Sequence, residues 1–167
     1  VDEQWEAIET MAEKLTFQDF LASVAGEERA FAADLHEELS RRGCQVAVKL
    51  AKSGYVVSYS HRKRTIANVV CRKKGLAARL YLNHIAQYEA LLETLPEEML
   101  RLVQEAPVCK RLLDPEACNP KCATGFDYQL RGERLQKCRN GAFMFPLSAQ
   151  TRPFVRALLI REAEAGE

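Results

Sequence analysis

Four cysteines in the last third of the chain, Cys109, Cys118, Cys122 and Cys138, follow the pattern C-x8-C-x3-C-x15-C. Four thiolates satisfy the tetrahedral preference of zinc, and a pair separated by Asn119-Pro120-Lys121 has a known ligand spacing. The stretch from Pro107 to Gly125 carries three prolines and many short polar residues, so it reads as a long irregular loop. Metal ligation would supply the folding free energy that such a loop cannot draw from burial. Against a zinc knuckle, Cys109 and Cys138 are unpaired in sequence and no histidine lies nearby. Ordinary buried thiols and disulfide or redox chemistry therefore stay open beside a structural zinc site. A catalytic thiol is the sharper variant. Cys138 lies between Lys137 and Arg139, Cys122 follows Lys121, and positive neighbours lower a thiol pKa. Such a nucleophile also needs a base, and His36, His61 and His84 are remote in sequence. Residues adjacent on a strand point to opposite faces, so Lys137 and Arg139 need not approach the sulfur.

A second constellation is basic. From Arg41 to Gly75 there are ten basic residues and no Asp or Glu, whereas Val1 to Ser40 holds eleven acidic residues against Lys14 and Arg29. The net charge of +1 hides this segregation. The basic residues concentrate in two turns, Arg62-Lys63-Arg64 and Arg72-Lys73-Lys74, which a meander places at opposite ends of a sheet. Either turn attracts anionic partners. Nucleic acid is one of them, with Tyr55, Tyr59 and Tyr81 as stacking surfaces, although no nucleic-acid motif accompanies the charge. Tyr55, Tyr59, His61 and Arg79 are candidates to line a polar pocket on the sheet. The competing reading is that the acidic helices neutralise the basic sheet within the molecule. Gly-rich phosphate loops, a Ser-centred nucleophile elbow, paired metal-binding histidines and a calcium loop are all absent.

These residues need elements to hold them. Trp5, Ile8, Met11, Ala12 and Leu15 recur at helical spacing and predict a first helix. Thr16 and Asp19 have the form of a capping box, opening a second helix with Phe17, Phe20, Leu21 and Val24 inward. Phe31, Leu35 and Leu39 mark a third, closed by Arg41, Arg42 and Gly43. The period then changes to two. Val46, Val48 and Leu50 alternate in a first strand, and Tyr55 to His61, Thr65 to Cys71 and Leu76 to Leu82 follow as an antiparallel meander. Tyr55, Val57, Tyr59 and His61 share one face, and Val56, Ser58 and Ser60 the other. Asn83 is expected to cap a helix with the stripe Ile85, Tyr88, Leu91, Leu92 and Leu95. Pro96-Glu97-Glu98 opens another, with Met99, Leu102 and Val103 buried. Phe126 to Leu130 and Leu135 to Cys138 bracket a hairpin turn, Ala142 to Phe145 is an apolar segment, and a helix from about Arg152 to Ala163 closes the chain.

The stretch Ser53 to Leu82, SGYVVSYSHRKRTIANVVCRKKGLAARLYL, resembles strands of the YdhG-like bacterial families. The shared features are a hairpin, a basic turn ending in Lys-Gly-Leu, and an exiting strand. The resemblance implies a fold only.

The expected class is α+β: an antiparallel sheet, meander plus C-terminal hairpin, covered by helices on mainly one face. One domain over residues 1–167 is expected, divided into an acidic helical segment (1–43), a basic meander (44–82), helices (83–106) and a Cys-containing loop, hairpin and final helix (107–167). Apolar stretches are too short to span a bilayer, the N-terminus lacks a basic patch before an apolar run, and six cysteines are too few for a disulfide scaffold. These features point to a reducing, cytoplasmic setting. The sequence reading is a cytosolic module binding an anionic or polar ligand, with zinc as a structural cofactor. A cysteine-dependent enzyme or redox protein, and a protein-interaction domain recruiting a basic partner through Glu27, Glu28, Glu37 and Glu38, are the alternatives.

Overall fold

The structure is a computed structural model that describes residues 15–117 and 124–165. The helix expected around Trp5 and Met11, and both Cys118 and Cys122, lie outside the described residues.

Helix α1, Phe17–Ser23, starts at the expected capping box: the Asp19 N–H donates to Thr16 Oγ1 at 3.3 Å and the Thr16 N–H donates to the Asp19 carboxylate at 2.7 Å. Helix α2, Gly26–Arg41, ends as its Arg-Gly signal predicts. The Gly43 N–H donates to the Ser40 carbonyl and the Cys44 N–H to the Leu39 carbonyl, each at 3.1 Å, with Gly43 at φ 86°. This closure needs a left-handed residue, which glycine supplies without a Cβ clash.

Strands β1 (Gln45–Ala51), β2 (Gly54–His61), β3 (Arg64–Arg72) and β4 (Gly75–Leu80) form the antiparallel meander. Hairpin strands β5 (Phe126–Leu130) and β6 (Glu133–Lys137) form a separate two-stranded sheet, and β7 (Met144–Pro146) returns to pair with β4. The main sheet therefore has five strands in the order β1-β2-β3-β4-β7. The β2–β3 turn has Arg62 and Lys63 both at positive φ, the geometry that matches strand twist in a two-residue hairpin. A register shift beside Tyr59 lets Ile66 and Ala67 both be buried.

Val57, Tyr59, Val69, Ala78, Leu80 and Phe145 line one sheet face and are buried beneath the helical layer. Helix α1 packs on β1 and β2, and the last helix, α6 (Arg152–Glu164), packs on β3 and α2 through fully buried Val155, Leu158 and Leu159. The residues between them, Val56, Ser58, Ser60, Asn68, Val70 and Arg79, face the other way and are half-exposed. The fold is α+β, with the sheet and hairpin expected from the sequence.

One expected element is corrected. The stripe from Ile85 to Leu95 forms not one helix but a 3-10 turn, Ile85–Gln87, and a four-residue helix α3, Glu89–Leu92, because Tyr88 leaves helical geometry at φ −142°, ψ 34°. Asn83 does not cap it; its amide donates to the Thr65 carbonyl and its oxygen accepts from Arg139. The break is held by Glu162 of α6, a carboxylate only 1% exposed. It accepts the His84 N–H at 2.9 Å, His84 Nδ1 at 2.7 Å and the Tyr88 hydroxyl at 2.7 Å. Beyond it, α4 (Glu97–Glu105) buries Met99, Leu100 and Val103, and a short helix α5, Lys110–Leu113, interrupts the expected loop.

Candidate functional site on the open sheet face

Register carries one row of side chains across the half-exposed face. Ala47 pairs with Ser58, Ser58 with Asn68, Asn68 with Arg79 and Arg79 with Met144. The polar members are hydrogen-bonded in series. Ser58 Oγ donates to Asn68 Oδ1 at 2.7 Å, and Asn68 Nδ2 donates to the Tyr81 hydroxyl at 3.3 Å. At the end of the row the Arg139 guanidinium lies 5.2 Å from the Tyr81 ring centroid and 5.3 Å from that of Phe126, while donating to Asn83 Oδ1 at 2.8 Å.

Arg79 stands in the middle of this row. Its Nε is buried and has no hydrogen-bond partner, and among the described residues no carboxylate pairs with it. No Asp or Glu occurs on any strand of the main sheet. Arg152 also buries an unpartnered Nε, yet its guanidinium reaches Glu27 at 3.8 Å. A desolvated guanidinium donor without a partner is costly, and a shift of the side chain that brought it to an anion or other strong acceptor would remove that cost. The neighbouring Ser58, Asn68 and Tyr81 add neutral hydrogen-bonding groups, and Val56, Val70 and Met144 add apolar surface beside them.

The other sequence candidates are placed elsewhere. Tyr59 is on the helix-covered face, 2% exposed, with its hydroxyl 2.9 Å from His36 Nδ1. Tyr55 packs on the same core, so neither lines a pocket with Arg79. Tyr81 shares the Arg79 face but is covered by Arg139, and these tyrosines make no open stacking platform. His61 ends β2 and pairs in register with Arg64.

The turns lie at opposite sheet ends, as expected, with Arg62, Lys63 and Arg64 at one and Arg72, Lys73 and Lys74 at the other. The second turn borders a cleft of about 340 Å³ with Ser23, Glu28 and Cys71. Glu28 occupies that cleft, accepting the Leu76 N–H at 2.8 Å, which makes it a poorer anion site than the row around Arg79. Among the described residues, the remaining acidic side chains of α2 pair with arginines outside the sheet, Glu27 with Arg152 and Glu37 with Arg41. Asp34 and Glu38 pair with Arg156 of α6, and Glu38 also with Arg41 and Arg42. The hydrogen bond from Arg42 holds the Glu38 carboxyl below its ordinary range.

The segments that carry Cys109 and Cys138 pair with each other. The Cys109 N–H donates to the Gln136 carbonyl, the Cys138 N–H to the Pro107 carbonyl, and Val108 bridges Lys137 between them. Gly125 places its N–H 3.4 Å from Cys109 Sγ, and a Cβ there would overlap the Lys137 carbonyl oxygen. Among the described residues, no three His, Cys, Asp or Glu side chains are grouped to hold a metal ion. The cations flanking Cys138 are used elsewhere. Lys137 Nζ donates to the Gln104 and Ala106 carbonyls at the end of α4, at 2.7 and 3.0 Å, and Arg139 covers Tyr81. Burial raises the thiols of Cys44, to about 11, and of Cys71, which makes both poor nucleophiles.

Ser58, Asn68, Asn83 and Arg139 were not legible as site residues, although one signal was present. Leu76, Ala78 and Leu80 mark the covered face of β4, so alternation puts Arg79 on the opposite face, and the strand register places it there with Ser58. Comparison with family models, curated proteins and solved structures finds no match. Among the described residues no helix is long and apolar enough to cross a membrane.

Proposed function

We propose that this chain is a binding module that holds a small anionic or polar ligand on the half-exposed face of its main sheet, with Arg79 as anchor. The observation that carries this reading is the buried, unpartnered Nε of Arg79 within the Ser58–Asn68–Tyr81 row. A ligand carboxylate or phosphate oxygen would accept from the guanidinium, while Ser58 and Asn68 offer further hydrogen bonds. The two basic turns would raise the local anion concentration without forming the site. We place the protein in the cytoplasm, a reading supported by free thiols at Cys44, Cys71, Cys109 and Cys138.

A structural zinc ion held by Cys109, Cys118, Cys122 and Cys138 is part of the proposal. It is supported by the proximity of the outer two segments and by the Gly125 N–H directed at Cys109 Sγ. The ion would clamp the 107–125 segment to β6.

The test is thermal melting in phosphate and in succinate against sodium chloride of matched ionic strength, for the native chain and for Arg79→Met. A saturable rise in melting temperature with at least one anion, absent in Arg79→Met, is the expected result. An equal rise in both proteins, or none in either, would overturn the reading.

A further inference from the structure

The two edges of the main sheet are built differently. Strand β7 has three residues and ends in Pro146, which offers no N–H, so that edge is blunted. Strand β1 has seven residues, contains no proline and pairs with β2 without a register break. Its outward backbone groups are a template for another strand. It also carries two of the four exposed large hydrophobic residues among the described ones, Val46 at 40% and Leu50 at 63%. Both are on the face of Val48, which is partly buried against the core.

We propose that β1 pairs with β1 of a second copy of this chain, antiparallel about a two-fold axis through Val48. The strand is self-complementary in that register. Leu50 falls opposite the partner's Val46 on both sides of the axis, so one pairing covers both exposed apolar side chains of each copy. On the other face Lys49 falls opposite the partner's Ala47. Neighbouring registers are worse. An axis through Lys49 sets two lysines directly opposite, an axis through Ala47 carries Leu50 past the partner's strand to Cys44, and an axis between residues would put the two helical layers on opposite faces. The pairing joins two five-stranded sheets and places both Arg79 rows on one continuous surface. A contact this short buries less than about 1,200 Å², which suits a reversible dimer of micromolar affinity.

Sedimentation velocity of the full chain over a concentration series tests this, with Val46→Lys and Leu50→Glu alone and mixed. Both positions are exposed, so both variants should melt like the native chain. The native chain should dimerise, and each variant alone should weaken the dimer by about tenfold or more. A mixture of the two should recover it, because the V46K ammonium then faces the L50E carboxylate across the axis. A native chain that stays monomeric, a dimer indifferent to both substitutions, or a mixture that does not recover would each overturn the proposal.

Discussion

Glu162 ties α6 to the segment that leaves the sheet, and its removal has a cost that the geometry sets. Its Oε1 accepts both the His84 N–H and the Tyr88 hydroxyl, while Oε2 faces His84 Nδ1. Glu162→Ala orphans all three. The imidazole is partly exposed and can turn to water, whereas Tyr88 is 3% exposed and cannot. Two orphaned donors at about 1–3 kcal/mol each, with the cavity left by the side chain, total about 3–5 kcal/mol. For a chain of this size that lowers the melting temperature by about 10–15 °C. Glu162→Gln is the informative control. Its remaining oxygen keeps the His84 N–H and Tyr88 hydroxyl, and its amide N–H can donate to Nδ1 once the imidazole proton moves to Nε2, so the loss should be about 1 kcal/mol. Urea titration and thermal melting of the two variants give both figures. A Glu162→Ala loss under about 1 kcal/mol, or a Glu162→Gln loss equal to it, would refute the assignment of Glu162 as the tie.

Three further outcomes follow from other contacts. His36 is stacked on Phe17, with ring centroids 3.8 Å apart, and burial lowers its pKa. The unfolded chain then takes up the proton first, so stability is intact above the ordinary histidine value of about 6.5 and falls as pH drops below it. His36→Gln should flatten that part of a stability–pH curve; an unchanged slope would exclude His36 as its source. Gly125→Ala would drive a methyl into the Lys137 carbonyl and to 2.9 Å from Cys109 Sγ, at about 3 kcal/mol, whereas Gly132→Ala meets no atom within 4 Å and should cost less despite its φ of 81°. Native mass spectrometry should show one zinc per chain, lost on denaturation with four newly reactive thiols; a metal-free native mass would remove the clamp from the proposal.

Local chemistry was readable where the residues that decide it are close in sequence. The Thr16–Asp19 box, the Arg-Gly closure of α2 and the turns of the meander each depend on a few adjacent residues, and each forms as expected. The 85–95 stripe misled because its periodicity is real, yet the backbone is broken by a carboxylate more than seventy residues away, at Glu162. No local pattern carries that information. The Arg79 row was half legible. Alternation separates the two faces of each strand, but which face the helices cover depends on packing, and tyrosines at positions 55 and 59 fit a buried face as well as an open one. Arg139 and Asn83 join the row only through tertiary placement.

The proposed anion binding at Arg79 rests on one donor, and that donor can be watched directly. In a nitrogen–proton NMR titration with phosphate and with acetate at constant ionic strength, the Arg79 Nε–H and the amides of Ser58, Asn68 and Tyr81 should shift together and saturate with at least one anion. Saturable shifts confined to Arg62–Arg64 or Arg72–Lys74, or no saturable shift at Arg79 with either anion, would contradict it.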